Sequence, residues 1–129
     1  MVIKVSNTNQ PNWTDLNVHA NLPKNLNKLQ ELATNLWWVW NSDAKNIFRH
    51  IDLDAWHQAQ SNPIVLLNTI SYDRMLELSK DKQFMAQLDK TYAEFRAYMD
   101  EPKVPKKPSV AYFSMEYGLT HVLKIYSGG

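Results

Sequence analysis

From Leu22 onward the apolar residues of this chain recur at steps of three and four. Leu22, Leu26, Leu29, Ala33, Leu36 and Trp40 follow that spacing, and a period of 3.6 residues places them on one face of a helix. Pro23 sits where a first helical turn tolerates a missing N–H, so the pattern predicts a helix from about Pro23 to Trp40. Ser42 or Asp43 is expected to cap a second, shorter helix through Ile47 and Phe48, and Asp52 a third that carries Trp56. Asn62-Pro63 repeats the cap-then-proline signal ahead of Ile64, Leu66, Leu67 and Ile70, and Ser71 opens a further turn through Met75 and Leu78. Asp81 starts the last helix, where Met85, Leu88, Tyr92, Phe95 and Met99 again step along one face.

The ends of the chain follow different rules. Ile3 and Val5 alternate with Lys4, and Leu16 and Val18 with Asn17, which reads as two short strands or one loose hairpin. After Asp100, Pro102, Pro105 and Pro108 alternate with Lys103, Lys106 and Lys107; this removes backbone donors and favours an extended, solvated linker. Residues 110–114 then form a continuous apolar run, the pattern of a parallel-type strand buried on both faces. The predicted fold is mainly α: a bundle of about five to six helices, a short N-terminal β-hairpin, and a C-terminal strand belonging to an α/β domain. The corresponding division is a helical domain over 1–101, a Pro/Lys linker over 102–108, and the start of a second domain over 109–129.

Composition narrows the partners. The 129 residues are 44% hydrophobic, enough for one domain with a real core. Fourteen Lys and Arg against thirteen Asp and Glu give a formal charge of +1, which supplies neither a basic footprint for nucleic acid nor a polybasic membrane anchor. Cysteine is absent, which rules out disulfides and thiolate metal sites and points to an intracellular, cytoplasmic setting. His19, His50, His57 and His121 lack ligand-like spacing, and no metal is expected. No stretch approaches the roughly 18 apolar residues of a membrane span.

Three features carry candidate chemistry. Trp37, Trp38 and Trp40 form the aromatic concentration expected of a carbohydrate-binding surface, yet Trp37 and Trp40 share the face of Ala33 and Leu36, and burial in the bundle explains them. Trp38 lies about 100° from Trp37 and about 200° from Trp40 on the wheel, which marks it as the candidate interface residue, facing another domain or a ligand. Asp52, Asp54, Asp73, Asp81, Asp89 and Glu94 sit at helix starts or on outward faces and read as caps or solvated acids, and Lys80, Lys82 and Lys90 as a solvated face. Glu116 follows directly on the predicted strand, where side chains of an open α/β sheet point into the ligand crevice; it is the candidate active-site acid. Gly128 and Gly129 would let backbone N–H groups approach an anion at a helix start and are the candidate phosphate-binding residues.

Several ordered motifs resemble one family. Leu22-Pro23, the run from Leu32 to Asn41 (LATNLWWVWN), Phe48-Arg49, Ile51-Asp52, Trp56, Asn62-Pro63, Tyr112 to Leu119 (YFSMEYGL) and Ile125 to Gly129 (IYSGG) resemble, in the same order, the α-glucan phosphorylases of the bacterial branch that carries a helical domain of unassigned function in front. The resemblance implies a retaining GT-B glycosyltransferase that moves glucosyl units reversibly between α-1,4-glucan ends and inorganic phosphate, giving α-glucose 1-phosphate. It implies pyridoxal phosphate as a phosphate acid/base, held by a lysine far downstream. By position, Gly128 and Gly129 would begin the phosphate-facing glycine loop and Glu116 would line the same cleft. Gly118-Leu119-Thr120-His121 departs from the animal-type enzymes, so cofactor contacts of that stretch do not carry over. On this reading the chain is an N-terminal fragment, inactive and cofactor-free by itself, whose partners are the rest of its enzyme or a second copy. The alternative is a non-catalytic glucan-binding or subunit-interface module.

Overall fold

A computed structural model describes residues 21–103 together with residues 111, 113, 120 and 121. A 3-10 turn at Lys24–Leu26 leads into α1 (Asn27–Thr34), and a second 3-10 turn spans Leu36–Val39. Helices α2 (Ser42–Ile51), α3 (Leu53–Gln58), α4 (Pro63–Thr69), α5 (Tyr72–Lys80) and α6 (Lys82–Asp100) follow. Among the described residues there are six α-helices and no strand. The expected N-terminal hairpin lies outside the described residues. Of the expected strand at 110–114 only Ala111 and Phe113 are described; both are exposed, Phe113 at 91%, and neither is in a helix or strand.

Side-chain caps explain where the helices begin. Asp52 Oδ1 accepts from the Ala55 N–H at 2.8 Å, Asn62 Oδ1 from Ile64 at 3.0 Å, and Ser71 Oγ from Arg74 at 3.3 Å. Asp81 Oδ1 accepts from Gln83 and Phe84 at 2.9 and 3.1 Å. Each satisfies a donor that the first turn leaves orphaned, worth about 1 kcal/mol. The cap of α2 is Asn41, whose Oδ1 accepts from Ala44 at 2.9 Å, one residue before the expected Ser42. Two helix ends are closed from elsewhere in the fold: Arg74 Nε donates to the Ile51 carbonyl at 2.9 Å, and Asn25 Nδ2 to the Ser79 carbonyl at 3.0 Å.

The expected continuous helix from Pro23 to Trp40 is broken at Asn35. That residue is extended (φ −110°, ψ 131°), and its Oδ1 accepts from the Trp37 N–H at 2.9 Å. An Asn side chain that can replace a backbone acceptor competes with helix continuation, and here the competition restarts the chain as a tighter turn.

Helix α6 is the spine, with α1, α2 and α5 packed against it, while α3 and α4 bridge α2 and α1. Phe84, Leu88, Thr91 and Phe95 form its buried stripe, whereas Met85 and Tyr92 are half-buried and Met99 exposed. Leu26, Leu29, Leu32, Ile47, Phe48, Ile51, Leu66, Met75 and Leu78 complete one contiguous core. The Thr91 hydroxyl, fully buried, has no hydrogen-bond partner among the described residues.

A candidate functional site at the corner of α2 and α3

The tryptophans take an order opposite to the one the helical wheel predicts. Trp38 is 5% exposed and Trp40 is 69% exposed, with Trp37 between them. The wheel assumed one unbroken helix, but Asn35 is extended and the chain restarts after it as a separate 3-10 turn over Leu36–Val39, with Trp40 just past its end, so the face that α1 buries does not carry on through these residues. Trp38 stands edge-on to Phe48 and to Trp56, with both ring centroids at 6.2 Å, while Phe48 and Trp56 stack at 6.0 Å and 7°. Trp37 instead tilts against Phe95 of α6 at 5.5 Å. Trp38 is therefore a core residue, and the exposed indole is that of Trp40.

Above this aromatic cluster lies an open cleft of about 550 Å³, whose floor includes Trp38, Val39 and Trp56. Its walls carry Lys45 and Arg49, one turn apart on α2, and His57 on α3; Ser42, Asn46 and Ser61 add neutral donors and acceptors. Thr120 and His121 close one side, and His121 Nε2 donates to the Gln60 carbonyl at 2.9 Å. Among the described residues none that lines the cleft is an acid. A smaller cleft of about 270 Å³, floored by Ala33, Leu36, Pro63 and Ile64, shares Trp38 and Thr120 with it.

The rim at Gln60 and Ser61 is built by the end of α3. The Gln60 N–H bonds to the His57 carbonyl at 2.9 Å and the Ser61 N–H to the Trp56 carbonyl at 3.0 Å, the paired bonds of a Schellman motif. Glycine usually takes the left-handed position of that motif, yet Gln60 and Ser61 have φ of 52° and 59°. Left-handed backbone at a residue with a Cβ costs about 1 to 3 kcal/mol, so the surrounding packing holds this rim in place.

The acids behave as caps and surface partners. Asp52 and Asp81 cap helices, Asp89 pairs with Lys28 at 2.7 Å, and Glu94 lies 3.8 Å from Lys90. The densest polar cluster joins α1 to α6: Glu31 accepts from the Tyr92 hydroxyl and from Arg96 Nη1 at 2.9 Å, and Arg96 also reaches Asp100 at 2.7 Å. The hydrogen bond to Glu31, followed by burial, raises the Tyr92 phenol above its ordinary pKa. The same carboxylate, with Asp100, raises the Arg96 guanidinium.

Glu116, Gly128 and Gly129 lie outside the described residues. Among the described residues no group of His, Asp or Glu is arranged to hold a metal, and no helix is long and apolar enough to cross a membrane. The pairing of Lys45 and Arg49 with His57 was not foreseen from the sequence; the only local signal was the four-residue spacing on α2.

Comparison with known proteins gives a consistent relationship. Glycogen phosphorylase of Mycobacterium tuberculosis (strain CDC 1551 / Oshkosh) is 34% identical over 124 residues, covering 87% of this chain. Maltodextrin phosphorylase of Thermococcus litoralis is 38% identical over 119 residues, again 87% of the chain, and glycogen phosphorylase of Aquifex aeolicus is 42% identical over 106 residues, or 78%. The chain spans only 14% of the first two relatives and 15% of the third. No solved structure matches it significantly. A family model described as "Protein of unknown function (DUF3417)" matches residues 22–123, which takes in every described helix and every described residue of the cleft. The chain belongs to that DUF3417 family and is homologous, over most of its length, to part of the glycogen and maltodextrin phosphorylases.

Proposed function

We propose that this chain serves as a helical accessory portion of an α-1,4-glucan phosphorylase, a retaining glycosyltransferase that exchanges glucosyl units between glucan ends and inorganic phosphate. The observation that carries the reading is homology over 87% of the chain to proteins named as phosphorylases. In this reading residues 1–101 form the accessory domain, 102–108 a linker, and 109–129 the beginning of the GT-B catalytic domain. Gly128 and Gly129 would face phosphate there. Glu116 would orient a cationic partner rather than transfer a proton, because a bare carboxylate beside phosphates is repelled by them. The enzyme would be cytoplasmic.

Pyridoxal phosphate belongs to the same reading, as the phosphate acid/base of the full enzyme. The described residues do not fit it. A lysine that holds such a cofactor covalently works desolvated, whereas Lys45, the lysine of the cleft, is exposed. No step is assigned to the cofactor on this chain.

A direct assay tests the proposal. The 129-residue chain with maltodextrin and phosphate should release no α-glucose 1-phosphate, and a full-length protein carrying it should. Turnover by the chain alone would overturn its accessory role, and inactivity of the full-length protein would overturn the phosphorylase reading.

One observation favours a second role, as a subunit or domain interface. Trp40 is exposed, as are the apolar side chains of Leu36, Ile64 and Val65. Trp38 and Trp56 are each buried, and one face of Trp56 stacks on Phe48, so a stack of sugar rings on them is not supported. Sedimentation of wild type and Trp40→Ala distinguishes an oligomer contact from an idle surface residue.

A further inference from the structure

The α2–α3 cleft gathers positive charge that nothing in the described residues neutralises. Lys28, Arg74, Lys90 and Arg96 each have a carboxylate partner within 4 Å; Lys45 and Arg49, like Lys24, Lys80, Lys82 and Lys103, have none among the described residues, but only Lys45 and Arg49 line this cleft together. Like charges four residues apart on a helix repel each other. With thirteen acids in the chain, this local excess is a matter of placement, not of composition. His57 joins the pair from α3, and Ser61 is fixed at the rim by left-handed backbone.

We propose that this cleft binds a phosphate monoester carried on a small hydroxylated molecule. A phosphate monoester carries about −1.5 to −2 charges at neutral pH, which matches the two permanent cations; a single carboxylate would leave one unmatched. The guanidinium fork of Arg49 suits two phosphate oxygens, and Lys45 adds a point charge. Ser42, Asn46 and Ser61 offer the neutral donors and acceptors that hydroxyl groups need. A volume of about 550 Å³ exceeds what a bare phosphate fills and lies within the usual range for small-molecule sites. The inference stands on the cleft alone and does not require the phosphorylase reading.

Calorimetric titration of the 129-residue chain at low salt tests it, with glucose 6-phosphate, inorganic phosphate and glucose as separate probes. Glucose 6-phosphate should bind with a Kd of about 1 mM or tighter, and glucose should not bind. Inorganic phosphate as tight as glucose 6-phosphate would overturn the ester in favour of free phosphate; weaker inorganic phosphate supports the ester. Lys45→Ala and Arg49→Ala should each weaken binding at least about tenfold, and Lys28→Ala should leave it unchanged. Both cleft side chains are exposed and have no carboxylate partner among the described residues, so the variants should keep the wild-type melting temperature. If Arg49→Ala does not fold, Arg49→Lys replaces it and should retain charge attraction but lose affinity. The proposal fails if neither phosphate compound gives heat or raises the melting temperature. It also fails if Lys28→Ala weakens binding as much as Lys45→Ala.

Discussion

The seam between α1 and α6 and the cleft between α2 and α3 use charge in opposite ways. At the seam every charged group is matched: Glu31 holds Tyr92 and Arg96, Arg96 reaches Asp100, and Lys28 pairs with Asp89 while lying 5.4 Å from the centre of the Tyr92 ring. In the cleft Lys45 and Arg49 stand over an aromatic floor with no acid among the described lining residues. The seam's charges are half-exposed, and pairs of that kind contribute about 0 to 1 kcal/mol each; several linked together orient two helices. Among the described residues the cleft's charges have no carboxylate partner. Groups that do nothing for stability are free to act on something outside the fold, and the aromatic floor beneath them belongs to the core. The two regions therefore separate the parts of this small domain that hold it together from the part able to recognise a ligand.

The hardest test of that separation is the floor itself. Trp38→Ala should cost about 3 to 5 kcal/mol in urea unfolding, because it empties a space bounded by Phe48 and Trp56. Trp40→Ala should stay within about 0.5 kcal/mol of wild type; equal losses would mean that Trp40 is covered in solution. At the seam, Glu31→Gln should cost about 1 kcal/mol, since the amide can still accept from Tyr92 but no longer pairs with the Arg96 charge. Lys45→Ala and Arg49→Ala should each change stability by less than about 0.5 kcal/mol. A cleft substitution as damaging as the seam substitution would erase the distinction.

Most helices were legible because their signals were local. Asp52, Asn62, Ser71 and Asp81 each announced a helix start through a side chain able to accept from an N–H two or three residues on, and each does so. The break at Asn35 was hidden by the very pattern that revealed the helix: Leu36 and Trp40 continue the three–four spacing past it, though the backbone no longer turns at 3.6 residues. That one extended residue reoriented the segment after it and inverted the expected exposures of Trp38 and Trp40. On α6 the true stripe includes Phe84 and Thr91, displaced from the expected one because a threonine does not read as core. The cleft was illegible for a different reason. Its cations share a helix face, but His57 and Ser61 join them only through the corner between α2 and α3 and the left-handed turn after it, neither of which leaves a motif.

The smallest expected effect sits at the seam, in its dependence on pH. Tyr92 donates to the Glu31 carboxylate, and that hydrogen bond, then burial, raises its pKa in the folded chain. The folded state therefore keeps the phenolic proton at a pH where an unfolded tyrosine, with a pKa of about 10, has begun to lose it. The resulting stabilisation is fully present below pH of about 10 and disappears as the pH rises through the folded-state pKa. Five other tyrosines and the lysines titrate in the same range, so the slope of wild type alone does not isolate Tyr92. The difference between wild type and Tyr92→Phe does. Urea midpoints measured from neutral pH to about pH 11 should fall more steeply for wild type than for Tyr92→Phe on the alkaline limb, by less than any of the effects above because solvent reaches this pair. Parallel curves would show that the Tyr92 proton is held no more tightly in the fold than out of it, and the seam would then resemble the cleft more closely than its geometry implies.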